Sequence, residues 1–511
     1  MLSKKRYLVE VPGAVRRRVG LSLQDVVAGL PGGSVKRSGT SGAHVVEMTL
    51  DESTQLARSH KGLLVEEDQE LKPLFPMPGV GFCIEQGKGY DLPFHIVDST
   101  DKKPISAVTI FVHGAQATYR ALTNKDGKAV VRVFEETPGP VIISPSANYW
   151  SQVIPFPTAS GITTVPLERL ELNGAAVRNR KLMGLEPEFP FTAQGIKIAV
   201  LDSGIAQHAD LEVAGGINTI DGEDPQDFRR DDHGHGTHCA GIIAGRNGDS
   251  GVLGMVPDAG IYSVKVFPGG HLSDLLEGLQ WSLDNKMDVV NLSLSIGKVS
   301  QILAGKLAEL ASAGITIVAA AGNESNHISY PAANDGVLAV TAFGSTESFP
   351  ENSAHSLRVS DLYNPQSGLF FANFSNVGIE ADFTAPGVAV ISTVPGGYAA
   401  WDGTSMACPF ICGLAALVLS AHPELKTGDV SQPLAVHHML SHGSIDLGLP
   451  SELQGAGVPQ ANRVLASALA RNKAVQRLSF TRQQQLDRVQ PLIADLKQKQ
   501  EEIRELLAQV G

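Results

Sequence analysis

The sequence predicts an α/β protein with a doubly wound, mostly parallel sheet. Beside it we expect an N-terminal ferredoxin-like α+β unit, a β-sandwich module and a C-terminal helical tail. Three observations support this fold class. Over residues 185–470, short apolar runs typical of buried parallel strands alternate with helical segments. Residues 76–172 carry Pro and Gly between short strand-like runs, and the residues from Arg471 onwards are polar with helical spacing.

The composition excludes several classes of protein. The 511 residues allow about three domains of roughly 100–200 residues each. With 43% hydrophobic and 18% charged residues the chain can bury a large core, which excludes wholesale disorder. A formal net charge of −12 gives no reason to expect nucleic-acid binding. No uncharged apolar run approaches the roughly 18 residues that span a membrane.

The first residues and the cysteine content predict the compartment. MLSKKRYLVEVPGAVRRR lacks the apolar stretch of about 7–15 residues that a signal peptide needs. Four cysteines do not make a disulfide framework in a chain of this length. They are Cys83, Cys239, Cys408 and Cys412. We therefore expect a cytoplasmic protein, with secretion as the alternative if a leader was removed.

Residues 1–75 predict a small α+β unit with the order β-α-β-β-α-β of a split βαβ fold. Thr49 and Glu52 have the spacing of a capping box, which predicts that the second helix begins there. The other predicted elements are the strands Arg6–Val11, Ala43–Leu50 and Lys61–Leu71 and the helix Leu21–Leu30.

Residues 76–172 predict the β-sandwich. Asp126-Gly127 is a typical two-residue hairpin turn and lies between the first two strand-like runs. These runs are Val108–Val112, Ala129–Phe134 and Val141–Ser144. DKKPISAVTIFV followed by TNKDGKAVV resembles carboxypeptidase-regulatory-like or transthyretin-like modules, which implies adhesion or spacing and no catalytic role.

Residues 185–470 predict the parallel sheet, and residues 471–511 predict the tail. The clearest strands and helices of the sheet unit are Ile196–Leu201, Val289–Ser293 and Ile315–Ala320, and Leu275–Asp284 and Gln301–Ala313. In the tail, apolar residues from Leu486 to Val510 follow a heptad spacing that Pro491 interrupts. The tail is therefore either a coiled-coil dimer or a helix that docks on this chain or on a partner.

Four polar residues follow buried strands or open helices in the sheet unit. Asp202 ends the run IAVLD, and Asn323 follows the run VAAAG. His235 in DDHGHGTHCAG and Ser405 in DGTSMACP lie where loops lead into helices. Amide hydrolysis needs a nucleophile, a base, a group that orients the base and donors for the oxyanion. These four residues supply a candidate for each.

Their motifs resemble a known family. DSG, HGTH and GTSMA, in the chain order Asp, His, Ser, resemble the signature blocks of the subtilisin-like serine proteases, peptidase family S8. The blocks GVLGMVPDAGIYSVKVF, VVNLSLS, VAAAGNES, YPAA, FSNVG and FTAPGVAVIST follow in the family's order. The resemblance covers about 270 residues and implies a subtilisin-like fold.

The resemblance implies a serine endopeptidase that acts through an acyl-enzyme. Ser405 would be the nucleophile and His235 the general base, and Asp202 would hold the histidine ring. By the same resemblance, Asn323 and the backbone N–H of Ser405 would form the oxyanion hole, as the corresponding groups do in subtilisin. Two other readings stay open: a transpeptidase with the same triad, and a catalytically silent scaffold that binds partners through the β-module and the C-terminal helix.

The resemblance also implies a substrate site and a propeptide. An extended peptide would pair with Ser293, Leu294 and Ser295 near Gly322. Most relatives have glycine where this chain has Ser295 and Ile296, which predicts a specificity pocket that is narrower or differently shaped. The unit ending in LLVEEDQEL resembles the family's inhibitory (I9-like) propeptides, so we expect a zymogen cut near Leu71–Pro76. Residues 346–371 are longer than the usual link and predict a recognition element or a flap.

No cofactor is expected to be required, but the resemblance implies a structural calcium ion. Asp210, Asn247 and Asp249 are the candidate ligands, since carboxylate and amide oxygens suit this cation. The HGHGTH cluster does not predict zinc, because no Cys or Glu pair stands at zinc spacing. His238 is expected to be structural and His233 to face solvent. Cys239, Cys408 and Cys412 predict buried free thiols, with a redox-sensitive or inhibitor-sensitive thiol as the alternative.

Overall fold

The structure is a computed structural model. It describes residues 3–12, 26, 34–60, 62–73, 89–114, 117–134, 139–157, 161–185, 193–246 and 251–466. The predicted helix at Leu21–Leu30, apart from Val26, and the tail at 471–511 lie outside these residues. The helix, the tail and the boundaries of the four domains stay predictions.

The N-terminal residues form a four-stranded antiparallel sheet packed against a helix. The strand order is β2-β3-β1-β4, which is that of a ferredoxin-like split βαβ. Thr49 accepts a hydrogen bond from the N–H of Glu52, whose carboxylate accepts one from the N–H of Thr49, so the capping box is present. The elements are β1 (Lys5–Glu10), β2 (Ser34–Ser38), β3 (His44–Met48), α1 (Leu50–Ser59), β4 (Leu64–Glu67) and the short β5 (Lys72–Pro73).

The next residues form two sheets that enclose one apolar core. One sheet has the order β11-β10-β7-β8 and the other the order β12-β6-β9. The strands are β6 (Tyr90–Asp98), β7 (Val108–His113), β8 (Thr118–Leu122), β9 (Lys128–Val133), β10 (Val141–Pro145), β11 (Gln152–Ile154) and β12 (Thr163–Leu167).

The predicted hairpin in this module is wrong. Asn124 and Lys128 do close a tight turn, and Gly127 takes the left-handed conformation at φ 67°. However, the flanking strands β8 and β9 pair with β7 and β6 in different sheets. The turn therefore carries the chain across the sandwich, because distant packing and not the local turn chooses each strand's partner.

The largest unit is built on a nine-stranded sheet. Its order is β14-β15-β13-β16-β18-β19-β21-β20, and β22 also pairs with β19. The pairs from β14 to β19 and the pair β19–β22 are parallel, which confirms the predicted sheet. The strands are β13 (Lys197–Asp202), β14 (Val213–Asn218), β15 (Gly260–Lys265), β16 (Val289–Leu292), β17 (Leu294–Ser295, outside the sheet), β18 (Thr316–Ala320), β19 (Val337–Ser345), β20 (Val359–Asn364), β21 (Leu369–Ala372) and β22 (Ala381–Pro386).

Helices cover both faces of this sheet, so it is doubly wound. On one face, the helices that begin at Leu272 and Gln301 share an apolar core with the sheet. On the other face, a second core holds the helices that begin at His235 and Thr404. The helices are α2 (Leu172–Leu182), α3 (His235–Ala244), α4 (Leu272–Asp284), α5 (Gln301–Ser312), α6 (Thr404–Ala421), α7 (Ser431–His442), α8 (Ser451–Gln454) and α9 (Ala461–Ala466). The short strands β23 (Val390–Val394), β24 (Gly397–Trp401), β25 (Ser444–Ile445) and β26 (Val458–Pro459) complete the unit.

Within the described residues, α6 is the one helix long and apolar enough to cross a membrane. It is 89% buried inside the protein, as expected for the central helix of a globular core.

The long segment 346–371 is built into the sheet edge. It contains a 3₁₀ turn at Ala354–Arg358 and then β20 and β21, which extend the sheet in the antiparallel sense beyond β19. Its 3₁₀ turn lies against the β-sandwich, where the N–H of Val153 donates to the carbonyl of Asn352 at 2.8 Å.

Candidate active site

Asp202 and His235 form a buried hydrogen-bonded pair. Asp202 is the last residue of β13, and His235 is the first residue of α3. Nδ1 of the ring lies 2.8 Å and 2.9 Å from the two carboxylate oxygens of Asp202, and both side chains are fully buried. A side chain at Gly236 would overlap the Gly204 carbonyl, so only glycine lets this helix start so close to the strand.

Ser405 is the second residue of α6, and this helix packs against α3. Its carbonyl accepts hydrogen bonds from the Ser293 hydroxyl at 3.1 Å and from the Cys239 thiol at 3.5 Å. Cys239 lies one helical turn beyond His235, so this contact brings the starts of the two helices to one place. The Ser405 hydroxyl itself donates to the carbonyl of Ser293 at 3.4 Å.

Asn323 is oriented by the residue that precedes Ser405. Its side-chain oxygen accepts hydrogen bonds from the Thr404 N–H at 2.9 Å and from the Thr404 hydroxyl at 2.8 Å. Because the oxygen is held by these two donors, the amide N–H groups point away from Thr404. The N–H of Gly322 donates to the same hydroxyl at 3.1 Å, which places Gly322 in this site too.

His238 has no direct part in this arrangement. Its ring is buried, stacks on Trp401 with centroids 4.6 Å apart, and is bonded through Nε2 to the carbonyl of Ala399. Burial lowers the pKa of His238 to about 3, so the ring is neutral at all ordinary pH values. This agrees with the structural role expected for it, and His233 is exposed as expected.

A segment of the N-terminal unit lies as an extended strand beside the predicted substrate-binding residues. Leu294 and Ser295 in β17 pair antiparallel with Pro73 and Lys72. The opposite edge is supplied by residues 270–272: the N–H of Leu71 donates to the Gly270 carbonyl at 3.0 Å, and the N–H of Leu272 to the Gln69 carbonyl at 2.7 Å. Residues 69–73 are thus the middle strand of three.

Residues 270–272 were not predicted as part of the site. Their only signal is the glycine pair before α4, where a side chain at Gly270 would overlap the carbonyl of Val266. In the sequence alone, a glycine pair predicts an ordinary loop, because the strand that pairs with it is far away along the chain.

Comparisons with known proteins agree with this geometry. The family model described as the subtilase family matches residues 193–458, just over half of the chain. This chain belongs to the subtilase family. The matched region contains Asp202, His235, Asn323 and Ser405.

The named relatives of this subtilase include subtilisins and an alkaline protease. Subtilisin NAT of Bacillus subtilis subsp. natto is 39% identical over 254 residues, which are 48% of this chain and 60% of that protein. The thermostable alkaline protease of Halalkalibacterium halodurans is 36% identical over 305 residues, 59% of this chain and 73% of that protein. Subtilisin BL of Lederbergia lenta is 36% identical over 303 residues, 58% of this chain and 97% of that protein.

A solved structure has the same fold over most of the chain. Fervidolysin from Fervidobacterium pennivorans, a keratinolytic enzyme related to subtilisin, superposes with a TM-score of 0.58 at 18% identity. The match covers 91% of this subtilase and 61% of fervidolysin.

The predicted calcium ligands are only partly described. Asp210 is buried, and its carboxylate accepts hydrogen bonds from the N–H of Val252 at 2.7 Å and from the Tyr398 hydroxyl at 3.0 Å. Gly251 packs so closely that a side chain there would overlap both carboxylate oxygens. Asn247 and Asp249 lie outside the described residues, so the calcium site stays a prediction.

One group of possible metal ligands occurs in the described part of the subtilase. The ligand atoms of Asp202, His235 and Cys239 lie within 4.8 Å of one another. Burial raises the pKa of the Cys239 thiol well above its usual value, so the thiolate that a metal prefers is disfavoured. Zinc is not called for by this geometry, because the same carboxylate is needed by the histidine ring.

Proposed function

We propose that this subtilase is a serine endopeptidase that hydrolyses peptide bonds through an acyl-enzyme on Ser405. The observation that carries the proposal is the meeting of three features. The buried Asp202–His235 pair, the serine at the start of α6 and a peptide segment already lying in an extended cleft come together at the end of one sheet. The chain spans only 60% of Subtilisin NAT, so the activity is inferred from these residues.

The residues divide the reaction between them. With Nδ1–H donated to Asp202, the ring presents Nε2 as the base that takes the Ser405 proton as Oγ attacks the scissile carbonyl carbon. The C=O becomes an oxyanion, which Asn323 Nδ2–H and the N–H of Ser405 stabilise. His235 then protonates the leaving amine as the C–N bond breaks. In the second half of the reaction His235 takes a proton from water as the water oxygen attacks the acyl carbon. The ester bond to Oγ then breaks and His235 returns the proton to Oγ, which releases the acid and restores Ser405.

A substitution at Asn323 tests this scheme. Replacing Asn323 with Leu keeps the volume but removes the donor, so we expect kcat to fall by about 10²–10³, the range known for subtilisin itself, with KM nearly unchanged. Initial rates on a chromogenic peptide measure this. Asn334→Leu is the control, because the side-chain amide of Asn334 donates to the nearby carbonyl of Pro331 and to none of the proposed site residues that the structure describes. A rise in KM with kcat intact would assign Asn323 to substrate binding alone.

We further propose that the chain is made as a zymogen whose N-terminal unit inhibits the enzyme. The support is the strand 69–73, which lies between β17 and residues 270–272 in the position expected for a substrate. A carboxylate near a helix N-terminus is favourable because the first N–H groups lack partners. Asp68 accepts from the N–H and the hydroxyl of Ser273 at the start of α4, and Glu66 accepts from the N–H of Gln301 at the start of α5.

A substitution at Asp68 tests whether the N-terminal unit inhibits the enzyme. In Asp68→Asn the neutral amide loses the charge-assisted bonds to Ser273, worth about 1.5–3 kcal/mol, so the N-terminal unit should inhibit roughly 10- to 100-fold less tightly. The test is the activity that remains just after self-cleavage of the full-length chain. Glu47→Gln is the control, since it breaks only an exposed ion pair to Lys36. Equal inhibition in both variants would contradict the proposal.

The experiment that tests the function is the intact mass of the purified chain with and without a fluorophosphonate. A cut within residues 71–76 and one added phosphonyl group support a self-processing serine protease. An uncut chain that takes the probe would show an assembled enzyme that needs an outside trigger. Neither cut nor label would favour the silent scaffold. Products joined to an added amine in place of hydrolysed ones would favour the transpeptidase.

We also propose a substrate class, a cofactor requirement and a compartment. Peptides or proteins are the substrate class, and no cofactor enters any step above. The cytoplasmic compartment is supported by three free, buried cysteines among the described residues, Cys239, Cys408 and Cys412. The role of the tail stays a prediction.

A further inference from the structure

A buried cluster of charged side chains lies directly before the nucleophile. Asp402 precedes Ser405 by three residues and is 6% exposed. Its Oδ1 lies 2.6 Å from Nδ1 of His355, and its Oδ2 accepts from Nε of Arg358 at 3.1 Å. Both partners come from the 3₁₀ turn of the long segment 346–371, which neither the triad nor the substrate strands use.

The contacts fix how this cluster is protonated. Burial alone would raise the pKa of Asp402, but His355, Arg358 and the N–H of Ala389 outweigh it and hold the pKa at about 2. Within the described residues, Nε2 of His355 is buried and has no hydrogen-bond partner, so the ring is held by its Nδ1 contact with Asp402. Because folding lowers the pKa of Asp402 from 3.8, the cluster stabilises the fold above about pH 4, and this stabilisation is lost as the pH falls towards 2.

Asp402 holds the loop that carries Ser405. Its Oδ1 also accepts from the N–H of Ala389 at 2.9 Å, and the N–H of Gly403 donates to the carbonyl of Gly387 at 2.8 Å. Gly403 has φ 150° and no side chain, so its own rotation is weakly restrained. The two hydrogen bonds therefore set the direction in which the chain enters α6, and with it the position of Ser405.

The β-sandwich packs against this cluster through Trp150 and Ser151. The ring of Trp150 meets His355 edge-on with centroids 5.7 Å apart, and Trp150 is 9% exposed. The N–H of Ala354 donates to the Ser151 hydroxyl at 3.3 Å. Trp150 also belongs to the same apolar core as Phe349 and the helix α6, so the module is packed on the catalytic unit here.

We infer that Asp402, His355 and Arg358 are positioning residues that hold the Ser405 loop in its reactive geometry, and that the β-sandwich module braces them through Trp150. The inference rests on the proposed protease function and deepens it, since it gives the module a role in the rate of the chemical step. A displacement of about 1 Å at a nucleophile can cost about 10²-fold in rate, so a small release of this loop is measurable.

The test compares full-length wild type with His355→Ala, His355→Asn, Trp150→Ala and His422→Ala. Labelling with a fluorophosphonate counts the assembled sites, and kcat and KM are then expressed per labelled site. His422 is the matched control: it is a buried histidine 3.3 Å from a carboxylate, that of Glu424, but it follows the far end of α6. That end lies about 25 Å from Ser405 at 1.5 Å per helical residue.

We expect His355→Ala to lower kcat and the rate of phosphonate labelling by about 10- to 100-fold with KM within about twofold. His355→Asn should recover most of this loss, because its amide N–H can donate to Asp402 from near the position of Nδ1. Trp150→Ala should lower kcat by roughly threefold to tenfold, and His422→Ala should lower only the Tm.

Two outcomes would overturn the inference. One is an unchanged kcat per labelled site in His355→Ala and Trp150→Ala. The other is a loss of kcat in His422→Ala equal to that in His355→Ala, which would make the effect one of general stability. Failure of the proposed function looks different, because the wild type itself would then take no label and have no kcat to compare. Should His355→Ala not fold, the pair Trp150→Ala and His422→Ala gives the same comparison.

Discussion

Replacing Ser405 with Ala should abolish peptide hydrolysis almost completely. Without the nucleophile no acyl-enzyme forms, and kcat should fall by about 10⁶, the loss known for the equivalent change in subtilisin itself. The chain should stay full length, and a fluorophosphonate should no longer label it. The change removes one hydroxyl whose bond to Ser293 is long, at 3.4 Å, so the Tm should move little.

A matched variant separates the chemistry from packing. Ser282→Ala also deletes a fully buried hydroxyl, one that donates to the Gly278 carbonyl within α4. It should be processed and labelled like the wild type. Addition of active wild-type enzyme to the Ser405→Ala chain should restore the cut near residues 71–76. Self-cleavage or labelling that persists in purified Ser405→Ala would refute Ser405 as the nucleophile.

The parts of the fold that could be predicted are those that depend on local sequence patterns. The apolar runs that became β13, β16 and β18 have lengths and compositions that suit only buried parallel strands, and each lies within one or two residues of its predicted position. Thr49 and Glu52 signal the start of α1 because the capping box is a short-range interaction. Asp202 and Asn323 were predicted as site residues because polar residues at the ends of such strands are brought to one edge of the sheet.

The parts that could not be predicted depend on contacts between distant residues. The turn at Asn124–Gly127 reverses the chain as expected, yet nothing local says that β8 and β9 belong to different sheets. Residues 270–272 belong to the site through their hydrogen bonds to the segment 69–73, and no local pattern predicts this distant pairing. The role of Asp402 was not predicted either. Nothing in the sequence around GTSMA indicates that this carboxylate pairs with His355, 47 residues earlier.

Replacing Asp202 with Asn should lower kcat by about 10⁴ while leaving KM almost unchanged. The Oδ1 position must remain an oxygen, because the N–H of Ser203 donates to it at 2.7 Å. The new amide nitrogen therefore falls at the Oδ2 position, 2.9 Å from Nδ1 of His235. An N–H there favours the ring tautomer with its proton on Nε2, which cannot accept the proton of Ser405, and the neutral amide cannot stabilise the imidazolium.

The readout is kcat and KM on a peptide together with the rate of phosphonate labelling, which should slow by a similar factor. Asp288→Asn is the control, since Asp288 is a buried carboxylate that accepts from the N–H of Lys197 at the opposite end of β13. It should lose stability and keep kcat. A loss of less than about tenfold in Asp202→Asn would mean that the ring finds its reactive tautomer without the carboxylate. The buried Asp202–His235 bond would then serve the fold and not the reaction, and the proton of Ser405 would need another base.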